Sequence, residues 1–202
     1  MYKLSIDFYN RDNVVQIAKE LLGKILVTNF EGVLTSGRIV ETEAYVGMAD
    51  RASHSYGGKR TARNEHMYAQ GGTAYIYVCY GIHQMFNVVT NKINVPDAIL
   101  IRALEPMQGI TAMLKRTNKQ VPGYSLTKGP GNVGKALGFQ KRYSGSLLTS
   151  DEMFIAADEF IVTDEQVATS ARIGVNYAAE DALLPYRFYL KGNKYVSGRP
   201  NR

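Results

Sequence analysis

The sequence predicts an α+β fold: one domain over residues 1–202, with a curved, mainly antiparallel β-sheet, flanking helices and a protruding β-hairpin. Three observations predict it. The chain has 202 residues, 45% of them apolar, which suits one domain with a substantial core. Strand and helix signals do not alternate regularly, which argues against βαβ units and a parallel sheet. Two pairs of strand-like runs are joined by short turns, which favours antiparallel pairing.

Each element follows from local pattern. Residues 11–22, RDNVVQIAKELL, place Val14, Val15, Ile17, Ala18, Leu21 and Leu22 on one helical face. Asp12 or Asn13 can cap that helix and Gly23 can close it. Residues 24–46 read as two strands around a turn at Glu31-Gly32. Residues 48–72 are polar and rich in Gly, Arg, Ser and His, a long loop of the kind that often carries function. Residues 73–90 read as a hairpin bent near Gly81. Residues 98–106 read as a strand leading into a helix over 107–116. PGNVGKALG, 130–138, reads as a short helix with Pro130 at its start and Gly138 past its end. Two strand signals close the chain, at 172–177 and 186–192.

Composition narrows the function classes. No run of about 18 apolar residues is present, so no transmembrane helix is expected. The first residues lack an apolar stretch and cleavage site, so a cytoplasmic protein is expected. One cysteine, Cys79, excludes an internal disulfide, and the three histidines lie too far apart for common metal motifs. No metal is expected. The formal net charge of +6 suits a polyanionic partner without proving one. Fourteen tyrosines and no tryptophan suit either a core edge or a wet stacking surface.

Several residues could carry chemistry. In GRIVETEAYVG, 37–47, strand alternation points Ile39, Glu41, Glu43 and Tyr45 one way. By itself the alternation makes the two glutamates a solvated strand face. The functional alternative is a pocket carboxylate, the pair lying roughly 6.5–7 Å apart along the strand. Tyr75 and Tyr77 share a face, and Tyr80 sits at the hairpin bend. They are ordinary sheet tyrosines or a stacking surface worth about 1–3 kcal/mol per base. Basic residues interleave with them: Arg51, His54, Lys59, Arg60, Arg63 and Lys92. They form a solvated loop or a phosphate track. GPGNVGKA, 129–136, is one residue from a phosphate-binding loop, with Ala136 where a magnesium-binding hydroxyl is needed. A good apolar strand before it is missing too, so turn-shaping glycines are the better reading.

Taken together, GRIVETEAY, HSYGGKRTARN, GTAYIYVCYGIHQMFN, LIRALEP, the Gly-Pro before the short helix and RIGVNYA…PYRFYLKGNKYVS carry a resemblance. The sequence resembles the mammalian-type alkyladenine, or methylpurine, DNA glycosylases, in a minimal, bacterial form without the mammalian N-terminal extension. The resemblance implies a monofunctional base-excision enzyme that flips a damaged purine from duplex DNA and hydrolyses its N-glycosidic bond. The substrates it implies are 3-methyladenine, hypoxanthine and ethenoadenine. It implies no cofactor and no lyase step.

It also implies roles. Glu43 matches the base that activates water, and Arg102 the arginine beside that water. Tyr45, His54 and Tyr77 match the residues that sandwich the flipped base, and Asn87 the one that disfavours guanine. Tyr80 matches the wedge that enters the minor groove. Ile82 and His83 depart from the mammalian pair at the positions that touch flanking bases. Arg60 and Arg63 are expected near DNA, and a monomer is expected. A non-catalytic basic nucleic-acid-binding module is the alternative.

Overall fold

The computed structural model describes residues 1–198. In chain order these form β1 (Tyr2–Lys3), α1 (Ile6–Tyr9), α2 (Val14–Glu20), β2 (Ile25–Phe30), β3 (Val33–Tyr45), β4 (Ala74–Cys79), β5 (His83–Thr90), β6 (Asp97–Gln108), α3 (Ile110–Thr117), α4 (Pro130–Leu137), β7 (Met153–Ala157), β8 (Val167–Ser170) and β9 (Arg187–Leu190). All nine strands join one sheet and every strand pair is antiparallel. The order is β1-β7-β2-β3-β6-β5-β4, with β9 on β3 and β8 on β9. The α+β expectation therefore holds, with helices flanking an open sheet.

The 13-residue β3 organises the rest. β6 runs along one edge. The other edge is shared: β2 covers residues 33–38 and β9 covers Glu41 to Glu43. Glu31 and Gly32 link β2 to β3 with φ of 55° and 77°, the paired left-handed angles of a two-residue hairpin turn. Tyr80 and Gly81 repeat that solution, with φ of 50° and 74°, where β4 turns into β5. The Ile82 amide donates to Cys79 across the turn (3.2 Å). This hairpin protrudes: Tyr80 is 91% exposed and Ile82 is 74% exposed.

Three register shifts sit between β3 and β6, and two of them pass over Val40 and Arg102. A shift of this kind breaks strict alternation and re-aims side chains. Consecutive Ile39 and Val40 both join the main apolar core, so Ile39 does not accompany the glutamates. Thr42 faces helix α2, where its hydroxyl donates to the Ala18 carbonyl (2.8 Å). Asn13 caps α2 by accepting from the Gln16 amide (3.0 Å).

The glycines of GPGNVGKA also find a cause. A Cβ on Gly134 would lie 1.9 Å from the Gln84 carbonyl oxygen, and one on Gly131 would lie 2.6 Å from the His83 ring. Both residues let α4 lie directly against β5, which is why the motif mimics a phosphate loop.

Some expectations are corrected. Residues 172–177 are not a strand: the Ile173 amide donates to the Glu43 carboxylate and Gly174 takes φ of 78°. The strand lies earlier, at β8. β1 and β7 were not expected, although MFIAA in β7 is a short apolar run. β6 continues to Gln108, so α3 starts later than residue 107. Residues 48–72 carry three short 3-10 turns and bury Ala52, Met67 and Tyr68. No helix among the described residues is long and apolar enough to cross a membrane.

Candidate active site

The solvated-face reading of Glu41 and Glu43 is overturned: both are 0% exposed. Charges without water need partners, and each has several. Glu41 accepts from Arg102 Nε (3.1 Å), Arg187 Nε (2.7 Å) and the Ser197 amide (2.6 Å). Arg187 also donates to the Ser197 carbonyl (2.6 Å) and Arg102 to the Ser197 hydroxyl (3.3 Å). Glu41 thus ties three segments of chain together.

Glu43 is arranged differently. It accepts from the Ile173 amide at Oε1 (2.7 Å), and from Tyr45 Oη (2.9 Å) and Arg102 Nη1 (3.1 Å) at Oε2. An ionised carboxylate has about four acceptor positions, so three donors leave one for a further ligand. Arg102, unpaired in the register between β3 and β6, spans both carboxylates. Burial opposes its charge, but Glu43 and Glu41 outweigh that effect and raise its pKa.

Tyr45 connects this centre to a slot. Burial and the adjacent Glu43 carboxylate push its phenol well above the usual range, so it stays a donor. The slot is lined by Tyr45, Ala52, Ser53, His54, Met67, Tyr75, Tyr77, Asn87, Ala98 and Tyr177, with about 40 Å³ of room for water. Glu43 does not line it; it lies behind the Tyr45 hydroxyl. His54 meets the Tyr77 ring edge-on at 4.6 Å and shares a hydrogen bond with the Tyr75 hydroxyl through Nδ1 (2.8 Å). Burial, then the charges of Arg63 and Lys59, lower the His54 pKa to about 4, so the imidazole is neutral at neutral pH. Asn87 donates to the Tyr75 and Met85 carbonyls (3.1 and 3.3 Å), which fixes its side chain at the slot.

The structure thus brings together Glu43, Arg102, Tyr45, His54, Tyr77 and Asn87. Tyr80 and Ile82 stand apart at the hairpin tip, and His83 rests on Gly131. Arg60 lines neither the slot nor its neighbouring cleft. It is engaged by Glu65 (2.5 Å) and Asn94 (2.9 Å) and lies over Tyr68. Arg63 lines the neighbouring cleft, with Arg51, His54 and Lys59.

Several contributors were not foreseen. Arg172 is fully buried, pairs with both oxygens of Asp50, and lies 4.8 Å from the Tyr45 ring centroid. Ile173, Tyr177, Arg187 and Ser197 were missed as well. The available signal was a lone arginine inside an apolar or aromatic run, as in RIGVNY and PYRFYL. Such an arginine requires a buried acid elsewhere in the chain.

Chemically, the class this site fits is a hydrolase for a flat ring: an aromatic slot receives the ring, and a buried carboxylate with one open acceptor position can take a proton from water. Comparison with known proteins gives the family. The family model described as "Methylpurine-DNA glycosylase (MPG)" matches residues 7–194. A Clostridium perfringens (strain 13) relative named "Putative 3-methyladenine DNA glycosylase" is 43% identical, over 96% of this chain and 98% of its own length. Relatives of the same name in Desulfitobacterium hafniense and Chlamydia abortus are 43% and 46% identical, over 98% and 91% of this chain and 99% and 95% of their own lengths. The chain belongs to the methylpurine-DNA glycosylase family, which makes it a DNA glycosylase of base-excision repair of alkylation damage.

Proposed function

We propose that the protein is a monofunctional glycosylase that removes alkylated or deaminated purines, 3-methyladenine, hypoxanthine and ethenoadenine among them. In this reading it binds duplex DNA through the minor groove as a monomer in the cytoplasm. The observation that carries the reading is Glu43, buried behind Tyr45 at the edge of an aromatic slot, with one acceptor position unfilled.

The glycosidic bond is out of reach inside a duplex, so the nucleotide must rotate out, at a cost of a few kcal/mol. Tyr80 enters the step that is left and holds it open. Ile82, His83, Arg60 and Arg63 meet the surrounding duplex. The base enters between Tyr45 on one side and His54 and Tyr77 on the other, and Asn87 crowds the 2-amino group of guanine. As the C1′–N bond breaks, its electron pair leaves with the base. Water adds to C1′ and its proton passes to Glu43. Ionised Glu43 also stabilises the developing sugar cation. Arg102 holds Glu43 in place through its Nη1 hydrogen bond. Water is the nucleophile, so no amine intermediate forms and no strand cleavage follows.

Glu43→Gln keeps the shape and removes the base. General-base catalysis is worth about 10²–10⁴-fold, so single-turnover release of hypoxanthine from a duplex should fall by at least about a hundredfold while duplex affinity survives. Alkali-labile sites formed at an unchanged rate would refute the assignment. Binding with no abasic product from the unaltered protein would favour a non-catalytic module.

A further inference from the structure

Both tyrosine walls of the slot carry a guanidinium on the ring: Arg172 lies 4.8 Å from the Tyr45 centroid and Arg63 lies 5.5 Å from the Tyr77 centroid. The two cations are not equivalent. Arg172 is buried and neutralised by both oxygens of Asp50. Arg63 is exposed and joins none of the ion pairs among the described residues. It also lines the cleft that shares His54 with the slot. Lys59 shares that cleft and is also outside those ion pairs, but Arg63 is the uncompensated charge that lies on a ring of the slot where the base would stack.

We infer that Arg63 is a specificity-determining residue that disfavours a cationic purine relative to a neutral one in this slot; this rests on the glycosylase reading above. An aromatic face attracts a cation through its quadrupole, and Tyr77 already serves one cation from outside. A second cation against the same ring gains less and meets direct repulsion. The field of Arg63 reaches the slot: it acts on His54, Tyr75 and Tyr77 together, and in each case it opposes positive charge or favours negative charge. A unit charge roughly 8 Å away, at the dielectric of a protein surface, changes the relative stability of a charged and a neutral ligand by about thirtyfold unscreened, and salt screening of an exposed side chain brings this to the order of tenfold. The consequence is a levelling of substrates. Methylated cationic bases leave easily by their own chemistry, and Arg63 offsets part of that advantage in favour of neutral bases such as hypoxanthine.

The test compares two lesions in Arg63→Gln, Arg63→Lys and the unaltered protein. Single-turnover release of 3-methyladenine from methylated DNA is measured beside release of hypoxanthine from a duplex. Arg63→Gln should raise the ratio of cationic to neutral release by about tenfold, while Arg63→Lys should keep the ratio of the unaltered protein. Arg63 is a surface side chain, so folding is expected to survive and melting curves check it. Equal losses on both lesions would mean a phosphate contact only and would overturn the inference. A falling ratio would overturn it too. If the unaltered protein releases neither base, the glycosylase reading fails and the inference falls with it.

Discussion

Glu41 and Glu43 are two residues apart, equally buried and bound to the same arginine, yet their removal should have opposite consequences. Glu41→Ala takes the acceptor from Arg102 Nε, Arg187 Nε and the Ser197 amide at once. Two buried guanidinium groups then lose a carboxylate. Arg102 keeps Glu43 as a partner, and Arg187 keeps only neutral acceptors, the Ser197 carbonyl and the Ser170 hydroxyl. Breaking a buried ion pair from one side costs about 3–5 kcal/mol because the remaining charge stays desolvated. Total stability of a protein is about 5–15 kcal/mol, so the loss is a large share of it. For a chain of this length each kcal/mol moves the melting temperature by about 2–4 °C, which gives a fall of roughly 6–20 °C. Glu41→Gln, which keeps the shape and one acceptor oxygen, should lose less. Thermal and urea unfolding followed by circular dichroism measure the loss, with Glu43→Gln alongside. A Glu41→Ala protein within about 1 kcal/mol of the unaltered one would refute the structural role. So would a Glu41 variant of normal stability with catalysis abolished.

Three further outcomes are expected. Tyr80 is a non-glycine residue held at φ of 50°, which costs about 1 kcal/mol, so Tyr80→Gly should leave stability unchanged or slightly higher while slowing single-turnover base release; unchanged release would refute the wedge. His54 has its pKa depressed from 6.5 to about 4, so the unfolded chain takes up the proton first as pH falls. The stability contributed by the neutral ring is complete above pH 6.5 and is lost progressively towards pH 4, by about 3 kcal/mol at most. Denaturant midpoints across that range should show this slope, and His54→Gln should flatten it. Gly134→Ala should destabilise by several kcal/mol, or shift α4 off β5, because its Cβ would overlap the Gln84 carbonyl at 1.9 Å; a well-folded, fully stable variant would show that the helix has room to move.

Much of the architecture is written in short-range pattern. The β-branched and aromatic runs of β2, β3 and β5, the turn residues at Glu31-Gly32 and Tyr80-Gly81, and the Asn13 cap each act within a few residues. Such signals can be read without the fold. MFIAA in β7 escaped because five apolar residues with no periodicity suit a buried strand or a helix end equally, and only a neighbouring strand decides between them. The strand expected at 172–177 failed for a related reason. Its pattern was right for β-structure, but the Glu43 carboxylate, 130 residues away in the chain, takes the Ile173 amide, and Gly174 turns the backbone at φ of 78°.

The site divides along the same line. The sequence by itself determined which residue types stand where: carboxylates at 41 and 43, tyrosines at 45, 75, 77 and 80, an arginine at 102. It also determined the resemblance that singles out Glu43. Tertiary structure alone decided that both glutamates are buried, that Arg102 reaches both of them from its unpaired position in the sheet, and that Ile173 and Ser197 supply the remaining backbone donors. It alone placed a paired arginine behind Tyr45 and an unpaired one beside Tyr77. The physical reason is range. Periodicity and turn chemistry depend on neighbours in the chain, whereas the worth of a charge depends on what replaces its water, and those replacements come from strands and loops up to 156 residues apart.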